Sequence, residues 1–583
     1  MGLLRKMAFR LIIAGLPAVV LIAGCISKRS NTENVVVCQM PSDPPGLHII
    51  NGNSIQRSTV FQYTQCTLTH SDVRSLKKVP WIAKSLPEMS ADGLRATYEL
   101  SDKPKWDDGS PLTLDDVIFS LKMVKCPLTG DDELRFECDR IKTVEKDATN
   151  PRKFTVVFNK ALYNNSFLME DICLMEKHFW DSAGLMDKFT LEQFNDTNFK
   201  ADKYPELQKF MDAFNGGDNN NKPERLVGLG PYKVTKWEKG IAITLEKKKN
   251  WWGDGDTSLY CHNYPDKIIF KIIHDPEAVE LALKNKTIDV STYILAASFD
   301  RLRSDKRMDS LYNFDVVRKF AYYYIGLNMK GGEVGRKPFF EDKRVRRAMA
   351  YLTPVDDIIK VIAKGYATRQ YSYVSPLKYD YNTSLQAIPV DVEKAKKLLD
   401  EAGWKETDGD GIRSKVIDGK KVKFSFTINY EANPQWKQAL LLIQDKMREA
   451  GVDMQPNPMD FSAVSKANAN HDFDAMLGQM GGDPSPDDPD QFWRTSNWVN
   501  KGDNCVGFGN ARTDSLIDVI NSTLDLDKRA VYSKQFQQIV YDEQPFIFLY
   551  NVKVKIAISK RFDNANPYNT IPFVMLNDLK LKE

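Results

Sequence analysis

The residues of this 583-residue chain best suited to chemistry lie in one acidic, proline-rich segment, Gly481-Gly482-Asp483-Pro484-Ser485-Pro486-Asp487-Asp488-Pro489-Asp490. Prolines stiffen such a turn, and a carboxylate held by it beside an aromatic-lined cleft can receive an ammonium group through a charge-assisted hydrogen bond. The aromatic supply is large, with 10 Trp, 23 Tyr and 30 Phe, and it is grouped in places, as in Tyr322-Tyr323-Tyr324 and Trp251-Trp252. Tyr324, Tyr430 and Trp493 are the aromatic candidates to line a binding cleft, with Asp483, Asp487 and Asp488 as the candidate carboxylates. Each has a plainer role open to it: aromatics as core, carboxylates as a solvated loop that caps helices.

Covalent and metal chemistry have no comparable support. There is no Gly-x-Ser-x-Gly elbow, no Gly-x-x-x-x-Gly-Lys phosphate loop and no His-Glu-x-x-His zinc helix. The six histidines, His48, His70, His178, His262, His274 and His471, are scattered without metal-ligand spacing. Asp408-Gly409-Asp410-Gly411 resembles the opening of a calcium loop but lacks the distal bidentate acid, so a tight turn is expected there. A Ser/His/Asp triad can assemble from distant positions, and nothing in the chain promotes one. No cofactor, no metal site and no enzyme activity are expected.

The N-terminus carries a different signal. Arg5, Lys6 and Arg10 lead into an apolar run over residues 11–23 that ends in Leu21-Ile22-Ala23-Gly24-Cys25. The run is too short to span a bilayer as a permanent helix, and small residues before a cysteine suit a peptidase. Bacterial lipoproteins share this pattern, which implies a signal peptide over residues 1–24, lipidation at Cys25 and a polar tether over residues 25–34. Work outside the cytoplasm, on a membrane at the periplasm or cell surface, follows as the expectation. No later stretch approaches the roughly 20 apolar residues of a spanning helix. Net charge is only +3, and no basic, aromatic-interleaved run marks a nucleic-acid groove, so nucleic acid is not an expected partner. The seven further cysteines include no Cys-x-x-Cys pair; Cys126 and Cys138 could close a short loop, and the odd count leaves at least one thiol unpaired.

The elements that must position these residues are mixed. Runs over residues 154–158, 241–246 and 268–273 read as strands bounded by turn formers. Thr113 with Asp116 opens a helix whose buried face carries Val117, Leu121 and Val124. Asp391 starts another, with Leu398, Leu399 and Ala402 on its stripe and Gly403 at its end, and a third is expected over residues 438–450, stopping at Gly451. The polar stretch over residues 215–222, Asn-Gly-Gly-Asp-Asn-Asn-Asn-Lys, is expected as an exposed loop and a crossing between lobes. At about 150 residues per domain the length implies three or four lobes, so an α/β body of several lobes is expected.

Several segments, in order, resemble the signature stretches of the family-five extracellular solute-binding proteins, the oligopeptide, dipeptide and nickel-binding branch. Pro80-Trp81-Ile82-Ala83-Lys84-Ser85-Leu86 is similar to the family's "P-x-L-A-x-S-W", and Trp106-Asp107-Asp108-Gly109-Ser110-Pro111-Leu112-Thr113 opens its most diagnostic stretch. Gly228-Leu229-Gly230-Pro231-Tyr232, then Trp251-Trp252-Gly253, resembles "G-T-G-P-Y … Y-W-G". Phe340 to Ala348 resembles "F-x-D-x-R-V-R-x-A", and residues 391–412 resemble "A-x-x-L-L-x-E-A-G … D-G-D-G-I".

The resemblance implies a two-lobed periplasmic-binding-protein fold with a hinge, of cluster C and type II-like topology, with an extra inserted domain. Lobe I is expected over residues 35–62, 225–274 and 553–583, the extra domain over 63–224 and lobe II over 275–552. It also implies a monomer that closes over a peptide or other small solute and delivers it to an ABC transporter permease. Peptide-binding relatives hold the ligand's α-amino group with an aspartate that corresponds best to Asp483; Met480 replaces the usual tryptophan and the loop is longer, which leaves Asp487 and Asp488 open for the role. The stretch that carries a carboxylate-binding arginine in dipeptide-specific relatives reads Ile428-Asn429-Tyr430-Glu431-Ala432-Asn433, without arginine, which favours longer peptides. The alternatives are a non-peptide solute such as a nickel chelate or a sugar, and a sensory or chaperone role without transport.

Overall fold

In the computed structural model, which describes residues 32–51, 54–500 and 502–583, alternating β-branched and aromatic runs build two large sheets joined by a hinge. The expected signal segment and Cys25 lie outside the described residues. The first sheet has seven strands, in the spatial order Tyr312–Val317, Val554–Ser559, Val290–Ser291, Val35–Met40, Lys267–Ile272, Ala242–Lys247 and Tyr232–Glu238. The second has six: Ala367–Arg369, Phe546–Val552, Tyr322–Leu327, Ala475–Met480, Ser425–Glu431 and Asp453–Met459. A four-stranded sheet, Glu88–Met89, Arg95–Glu99, Lys153–Phe158 and Ile141–Lys146, anchors the segment between the first and second visits to the seven-stranded sheet. Each sheet has its own apolar core, built around Ile268 and Phe270 in the seven-stranded sheet, Phe426 and Ile428 in the six-stranded one, and Tyr98 and Phe154 in the four-stranded one.

Because Val290–Ser291 and Tyr312–Val317 pair into the seven-stranded sheet, the expected start of the second lobe at residue 275 is too early. The chain crosses from that sheet to the six-stranded one after Val317, through residues 318–321, and returns from Val552 to Val554 through Lys553. The two crossings run side by side: Val317 pairs with Val554 on one flank and Tyr322 with Asn551 on the other. The Asn551 amide donates to the carbonyls of Lys319 and Ala321 and ties the crossings together.

Local signals account for the helices. In Leu114–Lys125, Thr113 N donates to Asp116 Oδ2 at 2.8 Å, and Val117, Leu121 and Val124 are buried as the spacing predicts. Val392–Glu401 starts at Asp391, whose carboxylate accepts Lys394 N at 2.9 Å, and ends before Gly403 at φ +87°. The third helix, Pro434–Glu449, starts four residues before its expected beginning, because Asn433 caps it and Pro434 supplies the preset φ of a first helical position. Asp408–Gly411 is a turn between Lys405–Glu406 and Arg413–Ile417, its carboxylates paired with Lys421 and Lys423.

The polar stretch over residues 215–222 is not an open loop. It forms the short helix Gly217–Asn221, and Asn219 is buried, donating to the carbonyls of Phe214 at 2.6 Å and Ala213 at 3.1 Å. Composition predicts exposure there, but the Asn219 amide satisfies carbonyls left free at the end of Pro205–Phe214. The same helix end receives His48, which is fully buried. Its Nδ1 accepts from Ile50 N at 3.1 Å and Asn51 N at 2.9 Å, so Nε2 carries the proton and donates to Phe214 O at 2.8 Å.

Burial lowers the His48 pKa from its ordinary 6.5 to about 4, and His70 moves the same way for the same reason. A histidine whose folded pKa is depressed contributes no penalty above pH 6.5, and below it the unfolded chain takes up the proton first, so stability falls with pH. His48 alone should therefore cost about 2 kcal/mol between pH 6.5 and 5. Urea unfolding of the wild type and of His48→Gln at both pH values tests this: the variant should lose about 2 kcal/mol less over the interval, and an identical loss contradicts it.

Candidate ligand-binding cleft

Two chambers open between the sheets and meet at Gly482, Thr570 and Ile571, which line both. One, of ≈ 1350 Å³, lies against the hinge and is bordered by Lys319, Phe320, Tyr323, Gln479, Lys553 and Lys555. The other, of ≈ 1910 Å³, is bordered by Asp131, Glu133, Glu137, Glu170, Asp171 and Asp483, with Arg57 and His70 beside them. The hinge chamber has no acidic residue in its lining, so the cleft is polarised, basic at the hinge and acidic beyond it.

The loop after Ala475–Met480 divides the chambers, and the structure sorts its three candidate aspartates. Lys378 Nζ, almost fully buried, donates to Ser485 O at 2.6 Å and to Asp487 Oδ1 at 2.7 Å; the buried Arg529 guanidinium donates to Asp487 O. Asp487 is thereby used in holding the loop, and burial pushes its carboxyl above the ordinary value while Lys378 pulls against that shift. Asp488 accepts Asp490 N and Asn521 Nδ2, each at 2.8 Å. Asp483 is exposed into the acidic chamber, accepts only Ser485 N at 2.6 Å among the hydrogen bonds of its carboxylate, and forms no ion pair among the described residues. Gly482 is packed so closely that a Cβ there would lie 3.1 Å from Phe320 Cβ, which keeps the backbone beside Asp483 bare.

Around Asp483 the carboxylates are crowded. Asp171 is open to the chamber yet surrounded by protein, and this enclosure, then Asp483 and Glu170, push its carboxyl up to about 7. Glu170 is also raised by burial, with Lys78 opposing. A chamber lined this way gains most from a ligand that brings positive charge. Across the loop, Tyr163 OH donates to Pro486 O at 3.0 Å, and the Arg529 guanidinium lies 3.7 Å from the Tyr163 ring centre. These contacts bring the inserted segment onto the loop of the second sheet.

The three aromatic candidates do not reach the cleft. Tyr324 is buried and stacks on Phe546 at 3.9 Å, Trp493 packs against Phe546 at 4.8 Å, and Tyr430 is buried in the core of the six-stranded sheet. In Tyr322–Leu327 the strand period turns Tyr322 and Tyr324 to one face and Tyr323 to the other, and Tyr323 is the one that lines the hinge chamber. Phe320 and Lys319 also line it and carry no local sequence signal, because their place depends on where the chain crosses between sheets. The seven cysteines of residues 38–505 are free thiols, including Cys126 and Cys138. Among the described residues no helix is long and apolar enough to cross a membrane.

Comparison with known proteins agrees with this architecture. The chain matches the family described as bacterial extracellular solute-binding proteins, family 5 Middle, over residues 77–503. It is 28% identical over 508 residues to the oligopeptide-binding protein AppA of Bacillus subtilis, covering 85% of this chain and 82% of that one. The solved structure of AppA from Bacillus subtilis in complex with a nonapeptide superposes with a TM-score of 0.73 at 22% identity, covering 94% of this chain and 99% of that one. NikA from Brucella suis, in complex with Fe(III)-EDTA, superposes with a TM-score of 0.74 at 18% identity, covering 94% and 100%. Two sheets joined by paired crossings around a cleft, and a family match spanning most of the body, place this chain among the bacterial extracellular solute-binding proteins of family 5.

Proposed function

We propose that this chain is a lipid-anchored receptor that captures oligopeptides in its cleft and delivers them to the permease of an ABC transporter, without catalysing a reaction. The observation that carries the reading is Asp483, a carboxylate without a cationic partner among the described residues, next to Gly482 where the two chambers meet and lining the acidic chamber with further acids. An α-ammonium at Asp483 would neutralise the part of the cleft that most lacks positive charge. The two chambers join at Gly482, Thr570 and Ile571 into one continuous cleft, which suits an extended chain whose side chains sit in separate, water-tolerant spaces. The relative named as an oligopeptide-binding protein supports the same substrate class. Calorimetry with a matched pair of peptides tests it: N-acetylation should weaken binding by roughly 30-fold or more, and equal affinity for both forms would contradict the role of the ammonium.

The anchor is proposed at Cys25. In the producing cell, Cys25→Ser should abolish labelling by radioactive palmitate and move the chain from the membrane fraction to the soluble one; retained label would contradict the assignment.

A further inference from the structure

The hinge chamber holds cations that nothing in the fold neutralises. Lys319 lies on the first crossing between sheets, and Lys553 and Lys555 lie on and beside the second. Among the described residues none of the three forms an ion pair, and no aspartate or glutamate lines the chamber. Lys319 Nζ is 5.9 Å from the Tyr323 ring centre and Lys555 Nζ is 5.6 Å from that of Tyr366. Asp300, the acid that acts on Lys555 from outside the lining, is engaged by Tyr366 OH at 2.5 Å. Burial and the neighbouring Lys319 lower the Lys555 pKa to about 8, and burial lowers that of Lys319. Two partly buried ammonium groups of like charge, walled by aromatics, are unfavourable alone and become favourable once an anion sits between them.

We propose that Lys319 and Lys555 form an anion site on the hinge that takes a carboxylate of the bound ligand, supplied by the peptide's C-terminus or by an acidic side chain. The proposal rests on the peptide reading of the cleft and adds its second pole: positive charge of the ligand goes to the acidic chamber and negative charge to the hinge. Because Lys319 sits on one crossing and Lys555 beside the other, a carboxylate held by both also joins the two segments about which the lobes turn. Ligands are then selected by where their charges fall and not by length alone.

Calorimetry on the full mature chain, with a peptide of neutral side chains, its C-terminal amide, and versions carrying one internal Glu or Gln, separates the two sources. If the C-terminus is the source, amidation should weaken wild-type binding about tenfold or more. If a side chain is the source, amidation should do nothing and Glu→Gln in the peptide should produce that loss. In either case the Lys319→Met/Lys555→Met double variant should bind charged and neutralised forms equally, with an unchanged or raised melting temperature, because it removes repulsion from the empty site. Peptide binding that is indifferent to both neutralisations overturns the hinge site and leaves the peptide reading standing. If no peptide binds, acetate followed by the Nζ resonances of labelled lysine decides: saturable shifts at Lys319 and Lys555 uphold the site without the peptide reading, and their absence overturns the site.

Discussion

Replacing Asp483 by Asn should weaken peptide binding by about 2 to 5 kcal/mol, at least roughly 30-fold, with little change in stability. Asparagine keeps the side-chain oxygen that accepts Ser485 N, so the turn survives, while the charge facing the acidic chamber is lost. The loss is large because a peptide that fills the chamber displaces the water that would otherwise solvate the ammonium and the carboxylate, which strengthens the ion pair. The neighbouring acids do not substitute for it. Asp487 is committed to Lys378, Asp488 to Asn521, and Asp171 is pushed toward its neutral form. The effect should also disappear with an N-acetylated peptide, which the wild type and the variant should bind alike. Unchanged calorimetric affinity for the free peptide would remove Asp483 from the site.

Lys378→Met should destabilise the protein by about 3 to 5 kcal/mol and weaken ligand binding as well. The lysine side chain is only 3% exposed, and its removal leaves the Asp487 carboxylate without its cation and Ser485 O without a donor. The loop that presents Asp483 would then be tied mainly through Arg529 and Tyr163. Adding Asp487→Asn removes the stranded charge, so the double variant should recover much of the stability but not the loop's second tether. Urea unfolding of the single and double variants measures this; a single variant within 0.5 kcal/mol of the wild type, about the range expected for ordinary surface changes, would show that the pair does not hold the loop.

What the sequence makes legible here is mostly architecture. The family stretches are readable because they meet strict steric needs. A Cβ at Gly228 would lie 2.1 Å from Thr64 O and one at Gly230 2.5 Å from Tyr63 O, while Trp251 and Trp252 both donate to Leu229 O at 2.8 Å. Arg346 is buried beneath the carbonyls of Phe340, Glu341 and Glu543, which explains the "R-V-R" stretch without a ligand. Asp483 could be singled out because the turn around it is marked by prolines and acids. Tyr324, Tyr430 and Trp493 could not be separated from Tyr323, since an aromatic residue suits a core and a cleft equally and only strand facing distinguishes them. Lys319 and Lys555 carry no local signal at all. They become neighbours only when Val317 pairs with Val554 across the hinge.

The most direct test of the central claim is native mass spectrometry of the body beginning after Cys25, purified from its own cells, with the bound molecules released and identified. The account predicts a mixture of peptides with free amino termini, displaced from the Asp483→Asn variant. A protein that carries a metal chelate or a sugar, or one that is empty and also ignores a peptide library, would contradict it.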